Sequence, residues 1–371
     1  MTFGACTTGH TAPIAERSAL DRVRALVERG RGLAADTAVF VLANLKDHTG
    51  EDDVTDVQTE YLSEAELDQL VSGFRGAGFY CDPFTEEAAF CRWAAADGGA
   101  RFPLSRRAVY TIAQPGRGAS RHAPLAGVAQ LFGFTLLSPP AYEACLSAHK
   151  GHATVLMQAA GVPTPDTWSY HPKLGWIGLA PPDGADVILK PCLESASIGV
   201  DARARFRFGD ATRHRAAELA EALGQPVLAQ AFVPGWEVEV AVLNDGTAFA
   251  LDPVGISVAG VERLGDGFLD YPTVYRDGYG FFDFAAREPQ LAAEVRGHAA
   301  RAATVLGLQG ISRFDFRIDA EGRVFAFDMA GKPHLTRHSS VAFGFATLGL
   351  DYSDVFAALV GGVDAAGGFA A

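Results

Sequence analysis

The chain has 371 residues, of which 49% are hydrophobic, enough for two or three domains with large cores. Its formal net charge of −13 argues against nonspecific nucleic-acid binding and against attachment to an anionic membrane surface. The five cysteines show no C-x-x-C spacing, and the sequence shows no signal-peptide pattern and no apolar stretch of roughly 20 residues. We therefore expect a cytoplasmic protein without a disulfide framework, a zinc site or a membrane span.

The first third of the chain predicts an open parallel α/β domain over about residues 36–140, because strands and helices alternate there. The predicted strands are Ala38–Ala43, Gly78–Cys81 and Ala108–Ala113, and the predicted helices cover about Ser63–Ala77 and Ala123–Phe132. An amphipathic pattern at about 15–30 predicts a helix within an N-terminal extension, residues 1–35, that packs on this domain.

A loop from Gln114 to His122 follows the third predicted strand, where α/β domains usually bind ligands. Arg117, Arg121 and His122 could hold a carboxylate there, and solvated loop charges are the alternative interpretation. The Gly116-Arg-Gly118 sequence lacks the third glycine and the downstream acidic residue of a dinucleotide fingerprint, which argues against an NAD-dependent enzyme.

The remaining elements mix helices with strands of antiparallel character. A helix from Pro140 to Ala160 carries Lys150, and further helices cover about 212–223 and 288–306. The predicted strands are Thr167–Tyr170, Asp186–Lys190, Pro226–Val233, Glu237–Leu243 and Thr247–Leu251. Residues 260–284 predict a mobile active-site loop, and the Ala/Gly-rich tail after about Gly361 predicts disorder.

Two short alternating runs, residues 313–319 and 325–328, predict a β-hairpin with a turn at Ala320-Glu-Gly322. Side chains two residues apart share a strand face, so Arg313, Asp315 and Arg317 project together, and Asp328 can oppose them from the partner strand. Carboxylates and guanidinium groups on one face suit Mg²⁺ and phosphate. The alternative is an ordinary half-buried hairpin with surface ion pairs.

Lys190 ends a predicted strand and is followed by a loop of small residues, Ser195 to Gly199. Backbone N–H groups of such a loop can close around phosphate oxygens. The Gly-Lys-Ser/Thr order of a Walker A loop is absent, and a solvated lysine is the alternative interpretation.

The order and spacing of these residues resembles the ATP-grasp superfamily, and within it the D-alanine–D-alanine ligases, over about residues 38–360. The resemblance is carried by Lys150, Lys190 with its loop, Glu237, Arg313, Asp315 and Asp328. It implies an α/β fold, α+β in the ATP-binding part, in which a central subdomain (141–229) and a C-terminal subdomain (230–362) clamp ATP. Residues 363–371 would follow as a disordered tail.

The resemblance also implies roles for individual residues. ATP would be held by Lys150, Lys190, Glu194, Ser195, Ser197, Gln230, Phe232, Val233 and Glu237, and Mg²⁺ by Asp315 and Asp328. Catalysis would use Arg313, Tyr275, Arg276 and Ser197, while Arg117, His122, His334 and Ser339 would bind substrates.

The activity that this family implies is ATP-dependent ligation. A small-molecule carboxylate becomes an acyl phosphate, an amine attacks it, and phosphate leaves; a homodimer through the first domain would also suit the family. A nucleotide-binding homologue that has lost ligation is the alternative. A hydrolase is disfavoured because the sequence has no G-x-S-x-G motif.

Departures from the family pattern make D-alanine an unexpected choice for both substrates. Ala330 replaces a metal-binding asparagine, Ala196 replaces a serine, and His334 replaces a glycine. Val274 stands where the family has a lysine, and the glutamate that anchors the first substrate's amine has no clear counterpart, since Glu51 is a poor candidate. We therefore expect a specialised biosynthetic amide-forming ligase.

Overall fold

The computed structural model describes residues 18–46, 53–96, 101–114 and 116–369, and Glu51 and the first 17 residues of the predicted N-terminal extension lie outside them. Within this part of the chain the α-helices are α1 Ala19–Leu33, α2 Glu64–Gly76, α3 Glu87–Ala95, α4 Pro124–Leu131, α5 Ala141–Ala148, α6 Lys150–Ala159, α7 Arg215–Leu223, α8 Tyr271–Tyr275, α9 Phe284–Arg287, α10 Pro289–Val305, α11 Ser340–Thr347 and α12 Tyr352–Ala365.

The strands in the same residues form three sheets. They are β1 Thr37–Leu42, β2 Tyr80–Phe84, β3 Arg106–Thr111, β4 Thr135–Leu136, β5 Thr167–His171, β6 Gly175–Ile177, β7 Asp186–Pro191, β8 Arg205–Arg207, β9 Val227–Ala231, β10 Trp236–Asn244, β11 Ala248–Ala250, β12 Val254–Val258, β13 Tyr279–Asp283, β14 Ile311–Ile318 and β15 Val324–Ala330.

The first sheet is parallel, with the strand order β2-β1-β3-β4, and it confirms the predicted open α/β domain. All six residues of β1 are buried, as expected for a strand covered on both faces. Alternate side chains enter different cores: Val39 and Val41 pack with α2 and α12, whereas Phe40 packs with α3 and α4. A capping box formed by Ser63 and Glu66 begins α2.

The other two sheets are antiparallel and face the cavity described below. One has the order β6-β5-β9-β7-β8, and the other has the order β13-β12-β10-β14-β15 with β11 paired to β10. The predicted hairpin is confirmed as β14–β15, and its inner face packs Phe314 and Phe316 against α10. The opposite face of β14 therefore presents Arg313, Asp315 and Arg317 together.

The predicted single helix from Pro140 to Ala160 is wrong, because α5 and α6 are separate helices. His149 lies between the two helices with non-helical backbone angles, φ −93° and ψ 88°. Its ring nitrogen accepts a hydrogen bond from the His152 N–H. The Lys150 N–H donates to the Cys192 carbonyl at 2.9 Å. Lys150 is consequently the first residue of a helix and not an interior residue.

Two segments are more ordered than predicted. Residues 260–284 contain α8 and the strand β13, which pairs with β12, so the segment is not one long loop. The predicted disordered tail is also wrong over its described part, because α12 continues to Ala365 and Val363 is buried. The domain boundaries stay a prediction; the boundary at 229/230 falls inside β9.

No single helix among the described residues is long and apolar enough to cross a membrane, although α11 and α12 together, bent by 98°, would be by length and composition.

Helix α1 packs mainly along α12, near the far end of the chain. Val23, Leu26 and Val27 join the core shared by the first sheet and α12. Two glycines permit the close approach, since a Cβ on Gly30 would clash with the Ala357 carbonyl and one on Gly361 with the Leu26 carbonyl. The N-terminal helix is thus part of a core that joins both ends of the chain.

We expect Gly361→Ala to destabilise the protein by about 1–3 kcal/mol, because the added methyl group overpacks the α1–α12 contact. Urea unfolding followed by circular dichroism measures the change. Gly297→Ala is the matched control, since Gly297 is an exposed position of α10 with open space around it. Equal stability for the two variants would contradict the proposed close packing.

Candidate functional site

A cavity of about 590 Å³ lies where the three sheets and their connecting loops meet. Its walls include the residues on which the sequence resemblance depends. They are Lys150, Lys190, Glu237, Arg313, Asp315 and Asp328. Residues separated by up to 178 positions in the sequence are therefore gathered around one space.

Three carboxylates form a row across neighbouring strands on the cavity wall. Asp315 of β14 is in register with Glu239 of β10 on one side and with Asp328 of β15 on the other. Arg313 donates two hydrogen bonds to the Asp315 carboxylate, of 2.8 Å from Nε and 2.9 Å from Nη2. Lys150 Nζ donates to both oxygens of Asp328, at 2.5 and 2.7 Å. Arg313 Nη1 also lies 3.4 Å from Glu239 Oε2, so each of the three carboxylates has a cation beside it.

Burial and charge act in opposite directions on these carboxyl groups. Burial raises the pKa of Glu239 to about 7, although Arg313 opposes the shift and the Ser340 hydroxyl donates a hydrogen bond to the carboxylate. Burial would also raise the pKa of Asp328, but Lys150 and Lys190 outweigh it and hold that pKa below its usual value. A cation is therefore what keeps a carboxylate charged at this site.

Glu237 belongs to a second ion pair at the edge of the cavity. Arg317 Nη1 donates to Glu237 Oε2 at 2.6 Å, and its other nitrogens donate to the carbonyls of Val233, Gly265 and Gly267. Burial nevertheless raises the pKa of Glu237 above its usual range. Arg317 thereby ties β10 to the segment that precedes α8.

Lys190 reaches the hairpin through a β-bulge. The register of β14 and β15 shifts between Asp315 and Phe316, which leaves Phe327 as an extra residue on β15. The Phe327 carbonyl accepts a hydrogen bond of 2.5 Å from Lys190 Nζ. Burial lowers the pKa of Lys190 to about 8, while Asp328 acts to raise it. The lysine is a poorly hydrated cation poised beside the carboxylate row.

The loop that follows Lys190 has an unusual backbone. Ala196 and Ser197 adopt φ values of 50° and 55°, a left-handed conformation that costs non-glycine residues free energy. The Ser197 hydroxyl donates to the Leu269 carbonyl at 3.0 Å, and the Ser195 N–H donates to Glu60. Contacts from two distant segments therefore hold this loop over the cavity.

A buried ion network lies behind the same loop. Arg121 donates to Glu60 Oε2 at 3.1 Å and to both oxygens of Glu194, at 3.1 and 2.8 Å. The Gln225 side-chain amide also donates to Glu194. All three charged side chains are at most 2% exposed. The Glu194 carboxylate is thus occupied by protein partners, although the residue lines the cavity.

Similarity to known proteins agrees with this geometry. A family model described as the D-ala D-ala ligase C-terminus matches residues 183–361, the part that carries β7 to β15 and most of the cavity wall. Residues 183–361, slightly less than half of the chain, are therefore similar to this family. The resemblance stated from the sequence, to D-alanine–D-alanine ligases of the ATP-grasp superfamily, is confirmed.

Curated relatives carry the same description. The D-alanine–D-alanine ligase of Mycolicibacterium vanbaalenii is 32% identical over 239 residues, covering 63% of this chain and 64% of that protein. The ligase of Cupriavidus necator is 29% identical over 201 residues, covering 54% of this chain and 58% of the relative. The chain therefore spans about 64% or less of the length of these relatives.

Solved structures confirm the fold. The D-alanine–D-alanine ligase of Bacillus anthracis, solved with ATP, superposes with a TM-score of 0.64 at 14% identity, over 88% of this chain and 96% of that one. The VanG D-Ala:D-Ser ligase of Enterococcus faecalis gives 0.62 at 16% identity, over 88% and 99% of the two chains. The ATP-grasp fold class expected from the sequence is thus correct.

Several further predicted site residues of this ligase-like chain also line the cavity. They are Glu194, Ser195, Ser197, Tyr275, His122, His334 and Ser339. Ser339 is partly committed to structure, because its hydroxyl donates to the Thr336 carbonyl and caps α11 by accepting from the Ala342 N–H. Burial lowers the pKa of His334, which favours its neutral form. The functional roles of these residues stay predictions.

Five predicted residues do not line the cavity. Arg117 and Arg276 are exposed, so the structure does not bring them to the proposed substrates. Gln230 donates to the Thr167 hydroxyl at 3.1 Å, Phe232 lies under the guanidinium of Arg205, and Val233 offers its carbonyl to Arg317. The predicted nucleotide-binding role of Gln230, Phe232 and Val233 stays a prediction.

Glu60, Glu239 and Lys332 also line the cavity, although none of them was predicted from the sequence as a site residue. Glu239 shares a strand face with Glu237, and that spacing could have identified it. Glu60 lies in a short helical turn more than a hundred residues from Ser195 and carries no motif. Only the fold brings it to the loop.

Removing Arg121, the cation of the buried network, should lower the free energy of unfolding. We expect Arg121→Met to destabilise the protein by about 3–5 kcal/mol, because two buried carboxylates lose their partner. Urea unfolding measures the loss. Arg117→Met, an exposed change in the same loop, should alter the free energy of unfolding by less than about 0.5 kcal/mol. Comparable stabilities would contradict the assigned network.

Proposed function

We propose that this protein is an ATP-dependent ligase that activates a small-molecule carboxylate as an acyl phosphate and joins it to an amine. The observation that carries the proposal is the convergence of Lys150, Lys190, Arg313 and a row of carboxylates on one cavity in an ATP-grasp fold. The shared description of the relatives as ligases supports the same reaction class.

Lys150 and Lys190 are the proposed ligands of the ATP phosphates. Both ammonium groups lie at the carboxylate row, Lys150 on Asp328 and Lys190 on the adjacent Phe327 carbonyl. A bound polyphosphate would offer each ammonium a stronger partner than its present one. Glu237 is the proposed ligand of the ribose, which requires it to share its carboxylate with Arg317.

Asp315 and Asp328 are the proposed Mg²⁺ ligands. No set of three His, Cys, Asp or Glu side chains in the described ranges is arranged to hold a metal alone. Two opposed aspartates nevertheless fit Mg²⁺, which is usually bound by one or two carboxylates together with substrate phosphates and water. The ion would neutralise phosphate charge, and Lys150 would have to release Asp328.

Arg313 is proposed to stabilise the charge that develops during both chemical steps. In the first step, a carboxylate oxygen attacks the γ-phosphorus, the bond to the β,γ-bridging oxygen breaks, and ADP leaves. In the second step, the amine attacks the carbonyl carbon, loses a proton, and expels inorganic phosphate. Arg313 is tethered to Asp315 and lies 3.4 Å from Glu239, so its guanidinium is already oriented beside the reacting groups.

An acyl phosphate needs protection from water, and three segments can supply it. Ser197 connects the loop after Lys190 to the Leu269 carbonyl. Thr59 shares a hydrogen bond of 2.8 Å with the Tyr271 hydroxyl, and Asp277 pairs with His338. These contacts connect the first domain, α8 and the loop after β15 around the cavity. A cover of this kind is built from parts that can separate for substrate entry.

The substrates are proposed to differ from two D-alanine molecules. Ala196, Ala330 and His334 change the surface that faces them, and Ala330 lies opposite Arg313 in the hairpin register. A cytoplasmic location and a homodimer through the first domain stay predictions.

Phosphate release from ATP and Mg²⁺ tests the proposal. D- and L-amino acids are offered singly and in pairs, and we expect release to require a particular pair. Asp315→Asn should lower the rate by at least about 100-fold, because metal-assisted charge neutralisation is worth several kcal/mol.

Asp183→Asn is the control for that variant, since Asp183 is an exposed loop residue. Its rate should equal that of the unchanged protein. Tight ATP binding without release in any combination would overturn the ligase proposal and favour a nucleotide-binding homologue that has lost ligation.

A further inference from the structure

Lys332 stands at a separate part of the cavity wall, in the loop after β15. Its ammonium forms no ion pair with any residue in the described ranges, and its hydrogen bond to the Ala113 carbonyl is 3.5 Å long. Burial lowers the pKa of Lys332 to about 8. A largely buried ammonium with so weak a partner is energetically costly, which suggests that a bound group completes its surroundings.

Two neutral polar side chains accompany Lys332 on the cavity wall. His122 Nδ1 is buried and has no hydrogen-bond partner among the residues that the structure describes. Lys332 and Arg121 help burial to lower the pKa of His122 to about 2, so this ring is neutral and near both cations. Gln114 accepts from Arg121 Nε at 3.3 Å through its side-chain oxygen, which leaves the amide nitrogen as a donor.

Glu60, the carboxylate with the strongest electrostatic effect on Lys332, already has hydrogen-bond partners. Glu60 acts on Lys332 more strongly than the other charged groups do. Its two oxygens, however, accept from Arg121 and from the Ser195 N–H. Glu60 is therefore poorly placed to receive a substrate ammonium, and Lys332 is the charged group here whose hydrogen bond is long.

The Lys332 region is electrostatically distinct from the proposed phosphate site. Lys332 is influenced by Glu60 and Arg121, whereas Lys190 is influenced by Asp328, Lys150, Asp315 and Glu237. Lys332 lies only four positions after Asp328, a span of at most about 14 Å of extended chain. One small molecule can therefore reach from the reacting end to Lys332.

We propose that Lys332, together with His122 and Gln114, binds a second carboxylate of the acid that this protein activates. The activated substrate is then a dicarboxylic acid, with one carboxylate at the reacting end and the other at Lys332. One uncompensated ammonium with two neutral polar groups matches a monoanionic carboxylate better than a dianionic phosphate. The inference rests on the proposed ligase function.

The competing explanation is structural. Lys332 could serve only to balance Glu60 and Glu194, whose combined charge exceeds that of Arg121. In that case its loss would weaken folding and affect all acids alike. A substrate role predicts instead a selective loss for dicarboxylic acids, mainly through KM.

Hydroxylamine trapping tests the proposal without knowledge of the natural amine. The full-length protein, ATP, Mg²⁺ and hydroxylamine are incubated with paired acids of equal carbon number, such as aspartate and 2-aminobutyrate or glutamate and norvaline, as both enantiomers. We expect kcat/KM for hydroxamate formation to favour one dicarboxylic acid roughly 10- to 100-fold over its partner, the range for a hydrogen bond to a charged group. Lys332→Met should abolish this preference, and Lys332→Arg should restore part of it.

Lys173→Met is the matched control, because Lys173 is an exposed lysine outside the cavity. It should leave the preference unchanged. If Lys332→Met does not fold, His122→Phe replaces it and should lower the preference in the same direction. A preference for monocarboxylic acids, or an equal loss for both acids in Lys332→Met, would overturn the inference, as would selection of O-phosphoserine over every dicarboxylic acid.

A binding measurement separates this inference from the ligase proposal. Thermal unfolding is followed with a non-hydrolysable ATP analogue and each acid. Stabilisation by a dicarboxylic acid that requires Lys332 supports the second-carboxylate site even if no hydroxamate forms, and that combination would refute only the ligase function. Absence of such stabilisation in a protein that still binds the analogue would refute the site.

Discussion

The row formed by Glu239, Asp315 and Asp328 is the constraint on which the site depends. Three adjacent carboxylates in a buried wall repel one another and lose hydration, so they can be ionised together only beside cations. Arg313 and Lys150 supply those cations from the same sheet and from the start of α6. The cations that stabilise the row are the ones that ATP and an acid would engage, which couples substrate binding to release of the carboxylates.

The fold around this row explains why its parts come from so many elements. The bulge at Phe327 turns a strand carbonyl toward Lys190, and the helix break at His149 places Lys150 at a helix start. Both are local irregularities in otherwise regular elements. Each irregularity turns a group toward the cavity. In a regular strand or an unbroken helix the same group would have pointed elsewhere.

Local sequence patterns predicted many elements of the fold and several site residues. The features that they did not predict depend on long-range packing. Strict alternation fixed the β14–β15 hairpin and the pairing of Asp315 with Asp328, because side chains two apart share a face. The break at His149 was not predicted, because it coincides with a tertiary hydrogen bond from the Lys150 N–H to the Cys192 carbonyl that no local pattern reveals. Glu60 and Lys332 carry no motif, so only the folded chain brings them to the cavity. The tail looked disordered by composition, yet the glycines at its start allow α12 to pack closely on α1.

Oxygen transfer tests the central claim most directly. The acid that supports turnover is labelled with ¹⁸O in the carboxylate that reacts, and inorganic phosphate and the amide are analysed by mass spectrometry. Formation of an acyl phosphate predicts one labelled oxygen in phosphate and one in the amide for each turnover, with ADP as the nucleotide product. Phosphate without label, or release of AMP and pyrophosphate, would contradict the account.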